Sequence, residues 1–303
     1  MIRYLSHNEI DKAKWDSCVE RSPVGLPYAY SWYLDIVAPG WSALIKNDYD
    51  AMMPLCTGRK FFISYVYPPY FAQQLGLIQP DHHDPQLCND FLNEAAKKFS
   101  YIEMKVNYLD YPYNSRYKII ENTNYILPLS ENYDALKKRY SRGIRNNINQ
   151  MDKCLKIRDI THAEDIINLF RHNRGNRYKN LGNADYERMK KLLHTVCLRL
   201  RGIMWGAFAD NRLCAAVFFT EYKNRYIMNL SAVNEEGKKY RAMTLLIDTF
   251  IKNKSGSHSI LDFEGSNDPL VGRFYKGFGS QCSNYKTVII NRLPPMLKWI
   301  KNN

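Results

Sequence analysis

The stretch "NDPLVGRFYKGFGS" (267–280) places two glycines directly behind an amphipathic turn. It can be a phosphate loop, a helix stop or part of an active site. The spacing is not G-x-G-x-x-G, and Gly277 and Gly279 follow the periodic residues instead of preceding them. A short helix over 269–276 is predicted, ended by Gly277 and Gly279 in left-handed geometry. Phe274 and Phe278 fall on its core side, with Arg273 and Lys276 outward or facing an anion.

Strands flank this helix at "SILDF" (259–263) and "YKTVII" (285–290). Upstream, Met243, Leu246, Ile247 and Phe250 recur at i, i+3, i+4 and i+7, which predicts a helix. Before it come three strands, 203–209, 213–221 and 225–233. Two further helices carry Ala163, Ile166, Ile167 and Phe170 on one face, and Tyr186, Met189, Leu192, Leu193 and Val196 on another. "LKIRDI" (155–160) is a strand. From residue 155 the order is therefore β-α-α-β-β-β-α-β-α-β.

The opening of this series has an echo. "IRDITHAE" (157–164) matches "IRYLSHNE" (2–9), each a strand end followed by Ser6 or Thr161 as cap and Glu9 or Glu164 completing a capping box. "WGAFADNRLCA" (205–215) matches "WSALIKNDYDA" (41–51), with Asn211 or Asn47 in a turn between strands. Two matches in the same order argue for duplication. The first copy continues through a helix at "FLNEAAKKF" (91–99) and a strand at "YIEMKV" (101–106). Its end, "YPYNSRYKIIENTNYILPL", has no counterpart to the terminal motif. Leu136, Tyr140, Ile144 and Ile148 repeat every four residues and predict a linking helix. The expected division is 1–130 for a first domain, 131–153 for the link, and 154–303 for a second domain that carries the terminal motif the first lacks.

Charge is uneven. Of 43 Lys+Arg and 30 Asp+Glu, residues 1–140 hold 15 and 16, leaving 28 basic against 14 acidic residues beyond. "KKRYSRGIR" (137–145) and "RHNRGNRYK" (171–179) contain no acid. They are either solvated faces or a surface for a polyanion such as RNA. The most apolar run, "FFISYVYPPYFA" (61–72), is too short to span a membrane and carries two prolines. The start shows no apolar leader, so a cytoplasmic protein is expected. Seven cysteines are scattered without a C-x-x-C pair, which fits reduced thiols. His82, His83 and Asp84 lie in a proline-flanked loop, and no metal is assigned.

The element order ending in N-x₇-Y-x-G-F (Asn267, Tyr275, Gly277, Phe278) resembles the GNAT acyltransferase fold. Two such folds in tandem, with "RFYKGFG" near the end and "SRGIRNNINQ" at the junction, look like the FemAB-type aminoacyltransferase branch. "YAYSWYLDIVAPGW" (28–41) also looks like a group of bacterial tandem-GNAT proteins. The resemblance covers most of the chain. It implies an α+β fold of two GNAT-like domains, with mixed, mainly antiparallel sheets flanked by helices.

It also implies a chemistry. Acyl transfer to an amine needs the amine deprotonated, the oxyanion stabilised and the leaving group protonated. In the family a strand amide binds the carbonyl oxygen where the fourth strand splays from the fifth, here near Leu230, Ser231, Ala232 and Val233. A tyrosine on the following short helix protonates the leaving group, and Tyr275 occupies that position. Tyr275 as an aromatic packed on the strand is the alternative. Asp262 and Glu264, two apart at a strand end, either orient the incoming amine or clamp the loop beside Asn267. The family's CoA loop, Q/R-x-x-G-x-G/A before a helix, maps onto "GKKYRA" (237–242). Ala242 fits, but Tyr240 stands where glycine is expected and would hinder close backbone approach. Lys238, Lys239 and Arg241 offer direct charge instead.

The donor is therefore left between acyl-CoA and aminoacyl-tRNA. The acceptor is an amine on a small molecule or a cell-envelope precursor, contacted by Tyr70, Gln73 and Gln74 of the first copy. The competing reading is a non-catalytic, basic nucleic-acid-binding protein on a degenerate transferase fold.

Overall fold

The computed structural model describes residues 1–60, 62–151, 154–173, 175, 181–265 and 267–294. They form two compact units. Unit 1 is Met1–Asn122 with the stretch from Asn284 onward, and unit 2 is Thr123–Ser283.

Unit 1 begins β1 (Ile2–Leu5), α1 (Lys12–Arg21), α2 (Ser31–Val37), β2 (Ser42–Lys46) and β3 (Ala51–Leu55). It continues with β4 (Thr57–Lys60), β5 (Ile63–Val66), α3 (Leu87–Lys98), β6 (Tyr101–Lys105) and β7 (Lys118–Asn122). Unit 2 opens with β8 (Tyr125–Pro128), α4 (Tyr133–Lys138), α5 (Arg142–Asn149), β9 (Lys156–Asp159), α6 (Ala163–Asn173) and α7 (Asn183–Arg199). Then come β10 (Arg201–Ala209), β11 (Arg212–Tyr222), β12 (Arg225–Val233), α8 (Glu235–Lys239) and α9 (Ala242–Lys254). It ends with β13 (Ile260–Asp262), α10 (Pro269–Lys276) and β14 (Gln281–Cys282), after which β15 (Tyr285–Asn291) belongs to unit 1.

Unit 2 has one seven-stranded sheet, β14-β8-β13-β12-β11-β10-β9, antiparallel except for β12 with β13. Unit 1 has a three-stranded sheet, β1-β2-β3, and a five-stranded one, β4-β5-β6-β15-β7, antiparallel except for β5 with β6. The α+β class and the mainly antiparallel sheets are as expected.

The domain limits differ from the linear division at 130 and 154. "YKTVII" is a strand, but it pairs with β6 and β7 in unit 1, from Thr287↔Lys105 to Ile290↔Ile102. "YILP" instead pairs with β13 in unit 2, Leu127 opposite Leu261. Each is a short apolar run that either sheet would accept on pattern alone, and only the ladder assigns it.

The expected linking helix is also different. It is two helices broken at Tyr140–Ser141, with Asn132 capping α4 and Ser141 capping α5. Leu136, Tyr140 and Ile144 are buried in the core of unit 2, so this segment is part of that unit. The periodicity was real, but two local caps stop one helix and start the next. Residues 152–153 lie outside the described residues.

The repeat has a physical counterpart. Asn47 between β2 and β3 has φ 51°, and Asn211 between β10 and β11 has φ 64°. Asparagine tolerates this left-handed region, which the turns require. The Ser6–Glu9 capping box is present, on a shorter element than expected. It closes around a single 3₁₀ turn, while Asp11 caps α1 itself. Glu164 pairs with Lys190 at 2.5 Å.

In unit 2, α9 covers the sheet with Leu246, Ile247 and Phe250, all fully buried. Phe250 stacks on Phe219 of β11 at 3.9 Å between ring centroids. Burying each such side chain contributes about 1.5–3 kcal/mol. This packing fixes where the N-terminus of α9 lies against the sheet.

Candidate active site

The sheet of unit 2 opens at β12. Parallel pairing with β13 runs only from Arg225↔Ile260 to Ile227↔Asp262. The other edge of β12 stays paired with β11 as far as Ala215↔Val233. The register shifts between Phe218↔Leu230 and Phe219↔Met228, leaving Asn229 as a bulge that bends the strand. Beyond Ile227, β12 has no strand partner on the β13 side among the described residues. Backbone groups alternate between the two edges, so every second amide in Leu230–Val233 faces the gap.

A polar network sits at the fork. Asn229 Nδ2 donates to Glu264 Oε1 at 2.9 Å, and Thr220 Oγ1 donates to Asn229 Oδ1. Asp262, almost fully buried, pairs with Arg225 Nη1 at 2.6 Å. It also accepts from Asn124 Nδ2 and from the Glu264 amide, each at 2.9 Å. Glu264 and Gly265 are both left-handed, at φ 54° and 62°. A Cβ on Gly265 would come 2.3 Å from the Thr123 carbonyl oxygen, so only glycine fits there. Asp262 and Glu264 are thus a clamp on the fork and the loop, and neither borders the cavity beyond it. The contacts of this pair are those of the clamp, the alternative to amine-orienting carboxylates. A buried Asp with a buried Arg opposite is committed to an ion pair. Asn267 accepts from the Thr123 amide at 3.0 Å and ties down the same loop. Ser266 lies outside the described residues.

A cavity of about 470 Å³ occupies the gap. One wall is Ser231, Ala232 and Val233 of β12; another is the α8–α9 turn with Gly237, Lys238 and Arg241, continued by Met243 and Thr244. Leu270, Val271, Phe274 and Tyr275 of α10 form a third, and Asn147 of α5 and Asn173 of α6 complete it. The volume suits part of a small-molecule ligand.

Local sequence builds each wall. Asn234 caps α8, accepting from the Gly237 amide at 2.7 Å. A Cβ on Gly237 would sit 2.4 Å from the Cys214 carbonyl oxygen, so this glycine lets α8 lie close on β11. Arg241 precedes α9 in left-handed geometry, φ 63° and ψ 28°. Its Nη1 donates to the Lys238 carbonyl at 3.2 Å, while its buried Nε has no hydrogen-bond partner. The amides of Ala242, Met243 and Thr244 have no carbonyl of their own helix to bond. With the helix dipole they make this end of α9 favourable for an anion. Tyr240 does not obstruct it: the ring packs against the core and is absent from the cavity wall. Ala242 is buried behind the wall and Lys239 is exposed away from it.

Tyr275 reaches the cavity from α10 and is only 5% exposed. Its ring stacks on Phe263 at 4.7 Å and meets Tyr125 edge-on at 6.3 Å. It is both an aromatic packed on the strand and a phenol beside the gap. Asp268 caps α10, as Pro269 at its first position favours. Gly279 is left-handed at φ 80°, but Gly277 is helical at φ −59°, contrary to expectation. Glycine at 277 serves close packing, since a Cβ would lie 2.7 Å from Ile144 Cγ1 of α5.

The structure therefore gathers Ser231, Ala232, Val233, Lys238, Arg241 and Tyr275 at one cavity. Sequence reasoning missed Asn147, Asn173 and Thr244. Asn147 Nδ2 donates to Thr244 Oγ1 at 3.4 Å across the cavity wall. No local pattern marked these residues, because their placement comes from helix packing.

In unit 1 the expected acceptor contacts do not share one exposed surface. Tyr70 is 43% exposed, while Gln73 and Gln74 are buried and bonded to each other at 2.6 Å. His83 Nε2 lies 3.1 Å from Asp110 Oδ1, and burial pushes the Asp110 carboxyl above its ordinary value. In the first basic run, Lys138, Arg139, Arg142 and Arg145 are exposed, with Arg139 paired to Glu131. In the second, Arg171 lies over the Tyr186 ring, while Arg174 and residues 176–179 lie outside the described residues. No described helix is long and apolar enough to cross a membrane.

Two units of mainly antiparallel sheets flanked by helices, the second forked beside the N-terminus of α9, make a tandem GNAT-like fold. Solved structures share it. FemX matches with a TM-score of 0.67 at 12% identity, over 98% of this chain and 99% of that one. L-PGS from Bacillus licheniformis matches at 0.52 and 10% identity, over 95% and 93%. A tandem GNAT protein from the clavulanic acid biosynthesis pathway matches at 0.51 and 11%, over 97% and 99%. No protein-family model and no curated protein sequence matches the chain.

Proposed function

We propose that unit 2 is an N-acyltransferase. It moves an acyl or aminoacyl group from a phosphate-bearing adenine nucleotide donor, acyl-CoA or aminoacyl-tRNA, to an amine. The observation that carries this reading is the convergence of three features on one cavity of about 470 Å³. They are the open edge of β12, the first turn of α9 and the ring of Tyr275.

An amide of Leu230–Val233 that faces the gap donates to the carbonyl oxygen of the donor and holds the oxyanion as it forms. The first-turn amides of α9, with Lys238 and Arg241, hold the donor's phosphate. The acceptor nitrogen attacks the carbonyl carbon and loses a proton, a new C–N bond forms, and the C–S or C–O bond to the donor breaks. Tyr275 supplies a proton to the departing sulfur or ribose oxygen. The fold shared with FemX, and with the tandem GNAT protein from the clavulanic acid biosynthesis pathway, supports the reaction class. The acceptor is an amine of a small molecule or a cell-envelope precursor.

The experiment is a titration of the purified protein with acetyl-CoA and, separately, with aminoacyl-tRNA, following thermal stability. Saturable stabilisation by one of them identifies the donor. Tyr275→Phe should then bind that donor normally and turn over about 100-fold more slowly. Stabilisation by neither donor, with steeply salt-dependent binding of uncharged RNA, would move the protein to the nucleic-acid-binding reading.

A further inference from the structure

The hairpin "TGRKFFISYV" (57–66) of unit 1 takes no part in the cavity of unit 2. β4 and β5 pair from Thr57↔Val66 to Lys60↔Ile63, and Phe61 between them lies outside the described residues. A left-handed position in a hairpin turn is filled at least cost by Asn or Gly. Here Phe62 holds φ 65° with 91% of its surface exposed. A bulky side chain in this region is strained, and this one buries nothing in return. Folding does not account for it.

Tyr65 lies opposite Gly58 with its ring over the glycine, where a Cβ would come 2.6 Å from a ring atom. Arg59 and Lys60, just before the tip, are both exposed. No Asp or Glu occurs between Asp50 and Asp81. The hairpin therefore presents an exposed aromatic at Phe62 beside exposed Arg59 and Lys60, and its sequence carries no acid.

We propose that this hairpin docks on an anionic lipid surface, with Phe62 entering the headgroup region and Arg59 and Lys60 on the phosphates. A single tip is far smaller than the roughly 800 Å² per partner of a stable protein interface. A bilayer needs no complementary groove, accepts an aromatic ring at its interface and attracts cations beside it. The inference is independent of the transferase reading.

The test is co-sedimentation of the full chain with phosphatidylcholine vesicles, with and without phosphatidylglycerol. Wild type should pellet with the anionic vesicles, and less so as salt rises. Phe62→Gly and the double variant Arg59→Ala/Lys60→Ala should each lower the bound fraction about fivefold or more. Phe62→Gly should melt no lower than wild type, because glycine relieves the left-handed φ, which separates lost docking from lost fold. Phe62→Trp should keep binding. Failure of wild type to pellet with anionic vesicles overturns the proposal. So does equal pelleting by wild type and Phe62→Gly, which would place the attraction in the other cations of this basic chain.

Discussion

Beyond Ile227 in unit 2, β12 leaves β13 and a cavity of about 470 Å³ lies in the gap. In unit 1 the edges of β3 and β6 are both occupied by residues 75–78. Ile78 exchanges two 2.8 Å hydrogen bonds with Met52, and the Leu75 amide donates to the Lys105 carbonyl at 2.8 Å. Leu77 is fully buried between these contacts. The voids left beside Gln74 and Cys56 measure about 10 Å³ each. Backbone groups at a strand edge need partners, and unit 1 supplies them from its own chain. Among the described residues, unit 2 leaves the edge of β12 beyond Ile227 without a strand partner and builds a helix N-terminus and a tyrosine around it. The difference teaches where to look for chemistry: an unsatisfied edge persists where a ligand can complete it.

The contrast can be broken most strongly from the closed side. Leu77→Ala should destabilise the protein by about 3 kcal/mol, read by denaturant unfolding, because the plug would lose its fully buried anchor. From the open side, Ser231→Trp fills the cavity. Whichever donor stabilises wild type should bind about 100-fold more weakly, near 2.7 kcal/mol, with the unliganded melting temperature little changed. A smaller effect is expected at Gly237. Alanine there forces a methyl against the Cys214 carbonyl and should cost about 2 kcal/mol of stability.

The smallest is a pH slope in unit 1. Asp110 is buried, and burial raises its carboxyl above the value it has in the unfolded chain. The folded state then binds this proton more tightly than the unfolded state. The contribution of Asp110 to stability is most favourable below its unfolded value and is lost as pH rises through its folded value. Comparing wild type with Asp110→Asn, the gap should move in favour of wild type as pH falls from neutral. A pH-independent gap between the two melting curves would show that the His83 pairing offsets the burial.

Much of unit 2 was legible because its elements announce themselves locally. The strands read at 203–209, 213–221 and 225–233 are β10, β11 and β12 within one or two residues at each end. The helix carrying Met243, Leu246, Ile247 and Phe250 is α9. Side-chain period and capping residues depend on near neighbours, so sequence carries them. The short strand Tyr125–Pro128 and the helix α8 were not legible. The first gains its identity from β13 and the second from a close approach to β11.

The candidate site divides along the same line. The terminal motif brought Tyr275 into view, and the loop before α9 brought Lys238 and Arg241. The two carboxylates were legible as a pair, but their duty was not. Asp262 is a clamp because Arg225, Asn124 and the Glu264 amide converge on it, and two of these partners are far away in sequence. The sequence by itself determined the doubled series of strands and helices, the basic second half and the candidates Tyr275, Lys238 and Arg241. Only the tertiary structure decided which sheet took β8 and which took β15, and where Asn147, Asn173 and Thr244 stand. It alone decided that the edge of β12 stays open among the described residues while the edges of β3 and β6 are filled. Periodicity and caps are set within a turn or two of chain, whereas ladder partners and unpaired edges are set by what arrives from elsewhere in the fold.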